Sequence, residues 1–582
     1  MMKDVPATAL EAAEKARKSV EECIEERHSF LVEAGAGAGK TFALVESLRY
    51  VIEKEGSLLL KKRQAVACIT YTQVARRQIE TKIDRHPAVV VATIHSFCWS
   101  LIQPFQPQMR GLLSTLSPKW EERITEAGGI GRSTIQYDIG HARITAGVVF
   151  LGHNDVIALA SKLLEQKKFR RLVAARYPII YIDEYQDTNK DFADALISHL
   201  LADKKSPLIG LFGDHWQKIY GDGCGKVKHS KIREIGKQSN FRSAKSIVSL
   251  LNNLRPELPQ FPKNEALQGS VTVYHSNAWD GQRRTDNSWQ GDLPVELARK
   301  TLQDLRTQLI GDGWDFENGK TKILMLTHNS LAREQGYPSL DNVYGTYREM
   351  YTKKEDVHVA FLVDEVEPAC AAYKDHKYGN MFSLLERRLP TIKFHSDKKK
   401  WAASMDKLIS LRETASIGEV IDHIVSTGCP VLPSRMLERE ESLKISKPEE
   451  IATSLSLQHL LDLREVPYKE VIAFQGFLEE STLFSTKHGV KGEEFENVLV
   501  VLGRGWNLYN FNQMLEWMNG AVPAGKESSF ERNRNLFYVA CSRPRVRLVL
   551  LFTQELTSNA LLALEKLVGA KNIVPLSFAK PE

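Results

Sequence analysis

Cysteine is scarce in this chain. Seven are scattered over 582 residues, at Cys23, Cys68, Cys98, Cys224, Cys370, Cys429 and Cys541, and none forms a CxxC pair. That spacing argues against a zinc or iron–sulfur module and fits reduced thiols in a cytoplasm. Long apolar runs are also missing: nothing approaches the roughly 18 residues of a membrane span, and no signal peptide is visible. A soluble, cytoplasmic protein is therefore expected. Charge of one sign is in small excess, at +6, which permits a local nucleic-acid groove without requiring one. Internal repeats and low-complexity tracts are absent, and residues 1–33 contain no glutamine.

What is present is ordinary in bulk and specific in detail. A composition of 43% hydrophobic and 26% charged residues describes a globular chain. Its length suggests about three to five compact units of roughly 100–200 residues. The most informative run is YPIIYIDEYQDTN, Tyr177 to Asn189, an apolar strand ending in Asp183 and Glu184. Two carboxylates at a strand end can divide the labour of nucleotide hydrolysis, one holding Mg²⁺ through a water and the other orienting the attacking water. The other half of such a site is EAGAGAGKT, Glu33 to Thr41. In the strict pattern GxxxxGK[ST] the first glycine falls at position 34, which here is Ala34, while Gly35, Gly37, Gly39, Lys40 and Thr41 are intact. The glycines let consecutive N–H groups wrap phosphates at a helix start. Lys40 is placed to contact the β- and γ-phosphates, and Thr41 to ligate Mg²⁺.

Around these motifs the chain alternates strand and helix. Ser29 to Val32 runs into the glycine loop, followed by a helical FALVESLRYVIEK. AVACITYT (Ala65 to Thr72) leads into VARRQIETKI, and VVVATIHSF (Val89 to Phe97) follows, so repeated βα units in a parallel sheet are expected. A second sheet is expected from near Gly269, through KILMLTHN (Lys322 to Asn329), to NVLVVLG (Asn497 to Gly503) and VRLVLLF (Val546 to Phe552). Two long interruptions, 104–165 and 341–465, read as inserted subdomains.

The leading alanine of AGAGAGKT together with IDEYQDTN resembles the UvrD-like branch of superfamily 1 DNA helicases, and further motifs follow in order. ITYTQVARRQI (Ile69 to Ile79) and TIHSF (Thr93 to Phe97) resemble segments that touch single-stranded DNA. GDHWQKIYG (Gly213 to Gly221) resembles the motif whose glutamine senses the γ-phosphate, and NFRS (Asn240 to Ser243) the one with an aromatic on the base and an arginine on the γ-phosphate. STKHGVKGEEFENVLVV (Ser485 to Val501) and NLFYVACSRPR (Asn535 to Arg545) resemble the last two.

The resemblance implies an α/β fold of two RecA-like motor domains, each with a mainly helical insertion. The segments are 1–103 and 166–228 for the first motor with insertion 104–165, and 229–340 and 466–582 for the second with insertion 341–465. It implies catalytic roles for Glu184, Gln217, Arg242 and Arg543, with Phe241 on the base and Glu494 on the ribose. Single-stranded DNA contacts fall to Tyr71, Thr93, His95 and His488. ATP, or another NTP, with Mg²⁺ is the implied substrate pair. DNA with a single-stranded end is the implied track, with 3′ to 5′ movement, in repair or in antiphage defence of the kind where a compact UvrD-like chain works beside an OLD-type nuclease.

Two positions depart from the family pattern. Relatives place a glutamine upstream of the phosphate loop to read the adenine edge, and none is present here, which puts nucleotide preference in doubt. After Ile219 to Gly221 relatives carry an aromatic that stacks on a base, where this chain has Asp222, Gly223 and Cys224. A carboxylate cannot stack, so translocation would depend on another aromatic such as Trp216. These departures keep open a DNA-activated NTPase that acts as a sensor or regulatory subunit with little unwinding. The short stretch after Arg543 leaves no room for a fused nuclease, so DNA cutting would need a partner. A small-molecule kinase would leave every motif after residue 200 unexplained. The run Lys398 to Lys400 beside Trp401 reads as a solvated helix face or as a duplex contact.

Overall fold

The computed structural model describes residues 8–578 apart from 138–141, 146, 204, 219–220, 222, 287–288, 318, 326–331, 333–334, 346–348, 353, 355, 386–392, 479–483, 486–492 and 505–508. The expectations on His488 and Asp222 lie outside the described residues. The chain forms two compact units, 1–314 with 491–582, and 315–490. Among the described residues no helix is long and apolar enough to cross a membrane.

The first unit holds a six-stranded sheet in the order β3-β2-β7-β8-β1-β9. Its strands are β1 (Ser29–Ala34), β2 (Val66–Thr70), β3 (Val89–Thr93), β7 (Ile179–Asp183), β8 (Leu208–Gly213) and β9 (Ile232–Lys237). Every neighbouring pair is parallel. β1, β2, β7 and β8 are buried along their whole length, which is why they read as continuous apolar runs and not as alternating ones. Parallel pairing brings the carboxyl ends of β1, β7 and β8 to one edge, where ligands of open α/β sheets bind. Helix α1 (Ala9–Glu25), opened by a capping box at Thr8 and Glu11, precedes β1, and α2 (Lys40–Lys61) follows the glycine loop.

Between β3 and β7 the first insertion is mixed and not wholly helical. It contains helices Gln106–Leu113, Pro118–Glu126 and His153–Leu164. It also contains a small sheet β4-β6-β5 made of β4 (Thr134–Tyr137), β5 (Arg143–Thr145) and β6 (Val148–Leu151). Trp120, Ile135, Val149 and Leu151 join the same apolar cluster as Ala67, Ile69 and Ile180 of the six-stranded sheet, so insertion and sheet share a core. The short strands carry too few residues for a clear alternating pattern.

The second parallel sheet of this unit runs β15-β16-β12-β17, with β12 (Ser270–His275), β15 (Phe495–Leu502), β16 (Pro544–Phe552) and β17 (Ile573–Pro575). A two-residue pair, β10 (Ser239–Asn240) with β11 (Phe261–Pro262), lies in the chain between the two sheets. Two large parallel sheets flanked by helices give the α/β, two-RecA-like plan. The other unit contains the parallel pair β13 (Thr321–Met325) with β14 (Phe484–Ser485) and a set of helices from Pro338 to Leu478. The expected helix-rich stretch 341–465 falls within it. Its interior includes ion pairs of Glu367 with Arg412 and of Glu440 with His358 and Arg464. Trp401 is buried there while Lys398, Lys399 and Lys400 are exposed, the pattern of a solvated helix face.

One glycine shows how tightly the first sheet is filled. Gly210 pairs with Phe30 on one side and Tyr181 on the other. The rings of Phe30, Tyr181 and Phe212 meet edge to face at 5.4–5.9 Å over the same patch. A Cβ at Gly210 would lie 2.7 Å from the Tyr181 ring and 2.8 Å from Phe30. Gly210→Ala is therefore expected to cost about 1–3 kcal/mol through overpacking, measured as a lowered thermal midpoint; an unchanged midpoint would refute this account.

Candidate nucleotide site

The loop from Gly35 to Gly39 leaves β1 with Gly37 and Gly39 both at φ +77°, a left-handed conformation that favours glycine. Gly39 caps α2 with no side-chain acceptor, so the first-turn N–H groups of α2 have neither an intrahelical partner nor a capping side chain. Such a terminus is built for an anion. The outer side of the loop is held by residues far along the chain. Asn240 Nδ2 donates to Ala36 O at 3.1 Å, Phe241 N to Gly37 O at 2.9 Å, and Ser239 Oγ to Ala38 O at 3.4 Å. Ala36 N donates to the Tyr538 hydroxyl at 3.1 Å. Gln260 Nε2 also reaches Ala36 O, at 3.2 Å, and leaves no room for a Cβ at Gly35.

One cavity of about 270 Å³ is lined by Gly35, Gly37, Gly39, Lys40, Thr41, Glu184, Gln217, Phe241, Arg242, Glu494 and Arg543. The structure thus brings together eleven of the residues expected from sequence. Lys40 Nζ lies 3.1 Å from Glu184 Oε1 and 3.2 Å from Oε2. Glu184 has φ +50°, an uncommon conformation for a residue with a side chain, and Gln186 Nε2 donates to its Oε2 at 2.5 Å. Asp183, buried at the end of β7, accepts from Glu184 N at 3.1 Å. Arg242 Nε donates to Glu494 Oε2 at 2.8 Å, so the residue expected on the ribose is paired with an arginine expected on the phosphate.

Arg543 is 1% exposed and donates through Nε to Val539 O at 3.0 Å and through Nη2 to Ser542 Oγ at 2.8 Å and Gln217 Oε1 at 3.4 Å. Burial, and next the charge of Arg242, hold its pKa below the ordinary arginine value. A guanidinium nonetheless stays charged, so this corner of the cavity carries positive charge in excess and favours an anion. Thr41 and Asp183 offer hard oxygen donors, a hydroxyl and a carboxylate, which is the chemistry that Mg²⁺ takes.

Beneath the cavity lies a polar network that motif reading did not find. Arg255, 2% exposed, donates to Glu33 Oε1 at 2.7 Å and Asp214 Oδ1 at 2.6 Å. Asp214 in turn accepts from Gln217 Nε2 at 2.8 Å. Glu33 also accepts from His215 Nδ1 at 2.6 Å and the Tyr185 hydroxyl at 2.8 Å. Glu33, Asp214 and His215 lie within metal-ligand reach of one another, but Arg255 is already ion-paired with both carboxylates. Glu33 was visible as a charge in a buried strand, which must find a partner; Arg255 stands in no motif.

The residues expected on DNA are placed separately. Tyr71, at the end of β2, is 40% exposed. Thr93 is buried and caps helix Ile94–Ile102, accepting from Ser96 N at 3.4 Å. His95 is half-buried with its ring 4.6 Å from that of His153. Trp216, offered above as a stacking aromatic, is 5% exposed, with Arg534 at 3.8 Å over its ring and Tyr538 at 5.5 Å. Its ring is a core element, not an open platform.

A glycine loop with Lys40 and Thr41, Glu184 after β7, and Arg242 and Arg543 from later in the chain line one cavity, with Asp183 buried next to Glu184; this is the arrangement of a superfamily 1 helicase-like P-loop NTPase. Residues 16–222 match the AAA_19 family, an AAA domain, and the chain is homologous to UvrD/PcrA-like helicases. It is 21% identical to Gabija protein GajB of Bacillus cereus (strain HuB5-5) over 692 aligned positions, covering 96% of this chain and 97% of that protein. A second Gabija protein GajB, from Bacillus cereus (strain VD045), is 24% identical over 41% of this chain and 49% of its own length. ATP-dependent DNA helicase PcrA of Staphylococcus aureus (strain Mu50 / ATCC 700699) is 24% identical over 38% of this chain and 37% of its own.

Replacing Arg255 with methionine leaves Glu33 and Asp214 buried without their guanidinium, keeping only the bonds from His215 and Tyr185 to Glu33 and from Gln217 and Trp216 to Asp214, at an expected cost of about 3–5 kcal/mol, read from chemical denaturation. Acid should act on the same network. Burial raises the pKa of Glu33, but His215 and Arg255 outweigh it and leave it at about 2, below its ordinary 4.5. A depressed carboxylate stabilises fully above its unfolded value, and that contribution is lost as pH falls through the folded one. The stability advantage of the native chain over Glu33→Gln is expected to shrink as pH falls below about 4.5, toward the lowered folded value; a difference that does not change over that range would refute the assignment.

Proposed function

We propose that this chain is an ATP-dependent DNA helicase or translocase, whose DNA-stimulated NTP hydrolysis drives 3′ to 5′ movement on single-stranded DNA. The observation that carries the reading is the cavity that joins Lys40, Thr41, Glu184 and Gln217 to Phe241, Arg242, Glu494 and Arg543. In the sequence-derived division, 1–103 and 166–228 form the first motor and 229–340 and 466–582 the second, with 104–165 and 341–465 inserted. The nucleotide then sits between motors, and its arrival and hydrolysis close and reopen that cleft.

Each side chain has a task in this reading. Lys40 and the loop amides bind the β- and γ-phosphates, and Phe241 lies against the base. Thr41 and Asp183 would hold Mg²⁺, which when bound neutralises phosphate charge. Glu184 orients the attacking water and takes its proton, and Gln217 senses the γ-phosphate from its place beside Arg543. Arg242 and Arg543 stabilise the charge that develops on the transferred group, while Glu494 exchanges its arginine for the ribose. Tyr71, Thr93, His95 and, by motif position alone, His488 are the DNA residues of this reading, Tyr71 through its exposed ring and Thr93 by shaping the loop that it caps. The partners are DNA with a single-stranded end and, by analogy with the full-length Gabija relative, a nuclease subunit in cytoplasmic antiphage defence. DNA repair is the alternative setting.

A second reading, a DNA-activated NTPase sensor or regulatory subunit with little unwinding, draws support from the burial of Trp216. Phosphate release with four nucleotides, with and without single-stranded DNA, followed by strand displacement on the same preparation, separates the two. Stimulated turnover with displacement supports the helicase; stimulated turnover without it supports the sensor; DNA-independent turnover sinks both. Glu184→Gln is expected to lower turnover about 10²–10⁴-fold while nucleotide binding persists. Arg543→Ala is expected to lower it about 10³–10⁵-fold, and a defect confined to nucleotide affinity would remove its transition-state role.

A further inference from the structure

Parallel pairing gathers the segments that enter the six strands of the first sheet at its amino-terminal edge, opposite the edge that carries the glycine loop and Glu184. Those segments are 25–28 before β1, 61–65 before β2, 83–88 before β3, 165–178 before β7, 201–207 before β8 and 225–231 before β9. Hydrogen bonds tie several of them side by side. Arg176 Nη1 donates to Arg63 O at 2.8 Å, and Gln64 Nε2 to Ala175 O at 2.9 Å. Lys231 Nζ donates to Leu201 O at 2.9 Å, and Arg170 Nε to Asp203 Oδ2 at 2.8 Å. The length of β1 and β7 keeps this edge about 17–20 Å from the nucleotide cavity.

The edge is strongly basic. The described residues of these segments include fourteen Lys and Arg and five Asp and Glu, an excess of nine where the whole chain carries six. All of these cations but Arg170 are exposed. Among the described residues two of them are ion-paired, Arg27 with Glu55 and Arg170 with Asp203. Folding alone does not ask for this charge, as the helix Lys167–Arg176 shows. Phe169 and Val173, four residues apart, bury one side of it, which leaves Lys167, Lys168 and Arg171 outside. Two lysines at a helix start oppose its dipole, and each lies three or four residues from Arg171, a like charge. A neutral polar residue would suit the helix better at all three places, so the cations answer to something outside the chain.

We propose that this edge is a binding face for duplex DNA, held through its phosphates without regard to sequence. The two large aromatics of these segments, Phe169 and Tyr177, are buried, so the face offers no ring for the stacking on which single-strand binding relies. The core of a protein interface favours aromatics and is depleted of Lys, whereas eight of the fourteen cations here are Lys. Sequence-independent contact with a phosphate backbone needs only exposed positive charge. Six strands about 4.8 Å apart make the face roughly 24 Å wide, a length over which a duplex carries about fourteen phosphates. The inference goes beyond the nucleotide reading and does not rest on it, since the two sites occupy opposite edges of the sheet.

Equilibrium binding of the full chain to blunt-ended duplex DNA of random sequence, which has no single-stranded end to serve as a track, tests this over a range of salt. The native chain is expected to bind it, with log affinity falling linearly as log salt rises. Two sets of exposed residues are replaced separately: Lys167→Gln with Lys168→Gln and Arg171→Gln, and Lys226→Gln with Lys228→Gln. Each set is expected to weaken duplex binding about tenfold at low salt and to lower the salt slope by about 0.9 for every phosphate contact removed. NTP hydrolysis stimulated by single-stranded DNA should not change. A loss in either set supports the face; duplex affinity unchanged in both, or no duplex binding by the native chain, overturns it. An equal loss for a single-stranded oligonucleotide of the same length would make the edge a general anion field and overturn the duplex assignment. Polyglutamate bound as tightly as the duplex, and lost in the same variants, would assign the face to an acidic protein and overturn it also. Should one set fail to fold, the other decides. Duplex binding without any DNA-stimulated turnover would sink the helicase reading and leave this face standing.

Discussion

A single guanidinium, that of Arg255, is gripped by the carboxylates of Glu33 and Asp214 out of contact with water, and the nucleotide site is built outward from that grip. Glu33 lies two residues before Gly35 and fixes the point at which the glycine loop leaves β1. Asp214 holds the Gln217 amide, and Gln217 in turn accepts from Arg543. Arg255 follows the helix Lys245–Leu254 in the part of the chain that also carries Asn240, Phe241 and Arg242. One ion cluster therefore registers the phosphate-binding loop against the arginine-bearing segments. Charge-assisted bonds are directional in a way that apolar packing is not, so they fix geometry as well as hold the parts together. The cost of burying these charges is met because each of the two carboxylates has more than one donor.

The cavity above this network is electrostatically unfinished. Arg543 is buried near another arginine, and the donors around it are satisfied mainly by neutral carbonyls and hydroxyls. An anion in the cavity would supply negative charge beside the buried Arg543 guanidinium. Arg242, just after the short pair β10–β11, and Arg543, just before β16, are both brought beside the glycine loop of the first sheet.

Much of this was legible in the amino-acid sequence, for identifiable reasons. Fully buried parallel strands must be apolar along their length, so β1, β2, β7 and β8 stood out. Motif position alone singled out Lys40, Thr41, Glu184, Gln217, Arg242 and Arg543, which line one cavity, and Asp183, the buried neighbour of Glu184 in sequence. What stayed hidden was support. Arg255 acts through partners more than thirty residues away along the chain, and no local pattern encodes that. The three short strands of the first insertion were too brief to show a period. Trp216 looked available because an aromatic in a polar motif resembles a binding residue, whereas Arg534 and Tyr538 enclose it. Thr93 was visible as a residue type, but its capping role only as a geometry.

The contact between Lys40 and Glu184 carries a consequence of its own. The group that would grip a triphosphate and the group that would activate water neutralise one another, so neither is at liberty while they remain joined. A phosphate chain entering the loop competes for the ammonium, and success in that competition releases the carboxylate. In the proposed reading the proton acceptor would thus be freed by the very molecule it is to cleave, and turnover would be held back between molecules by an interlock only one ion pair deep.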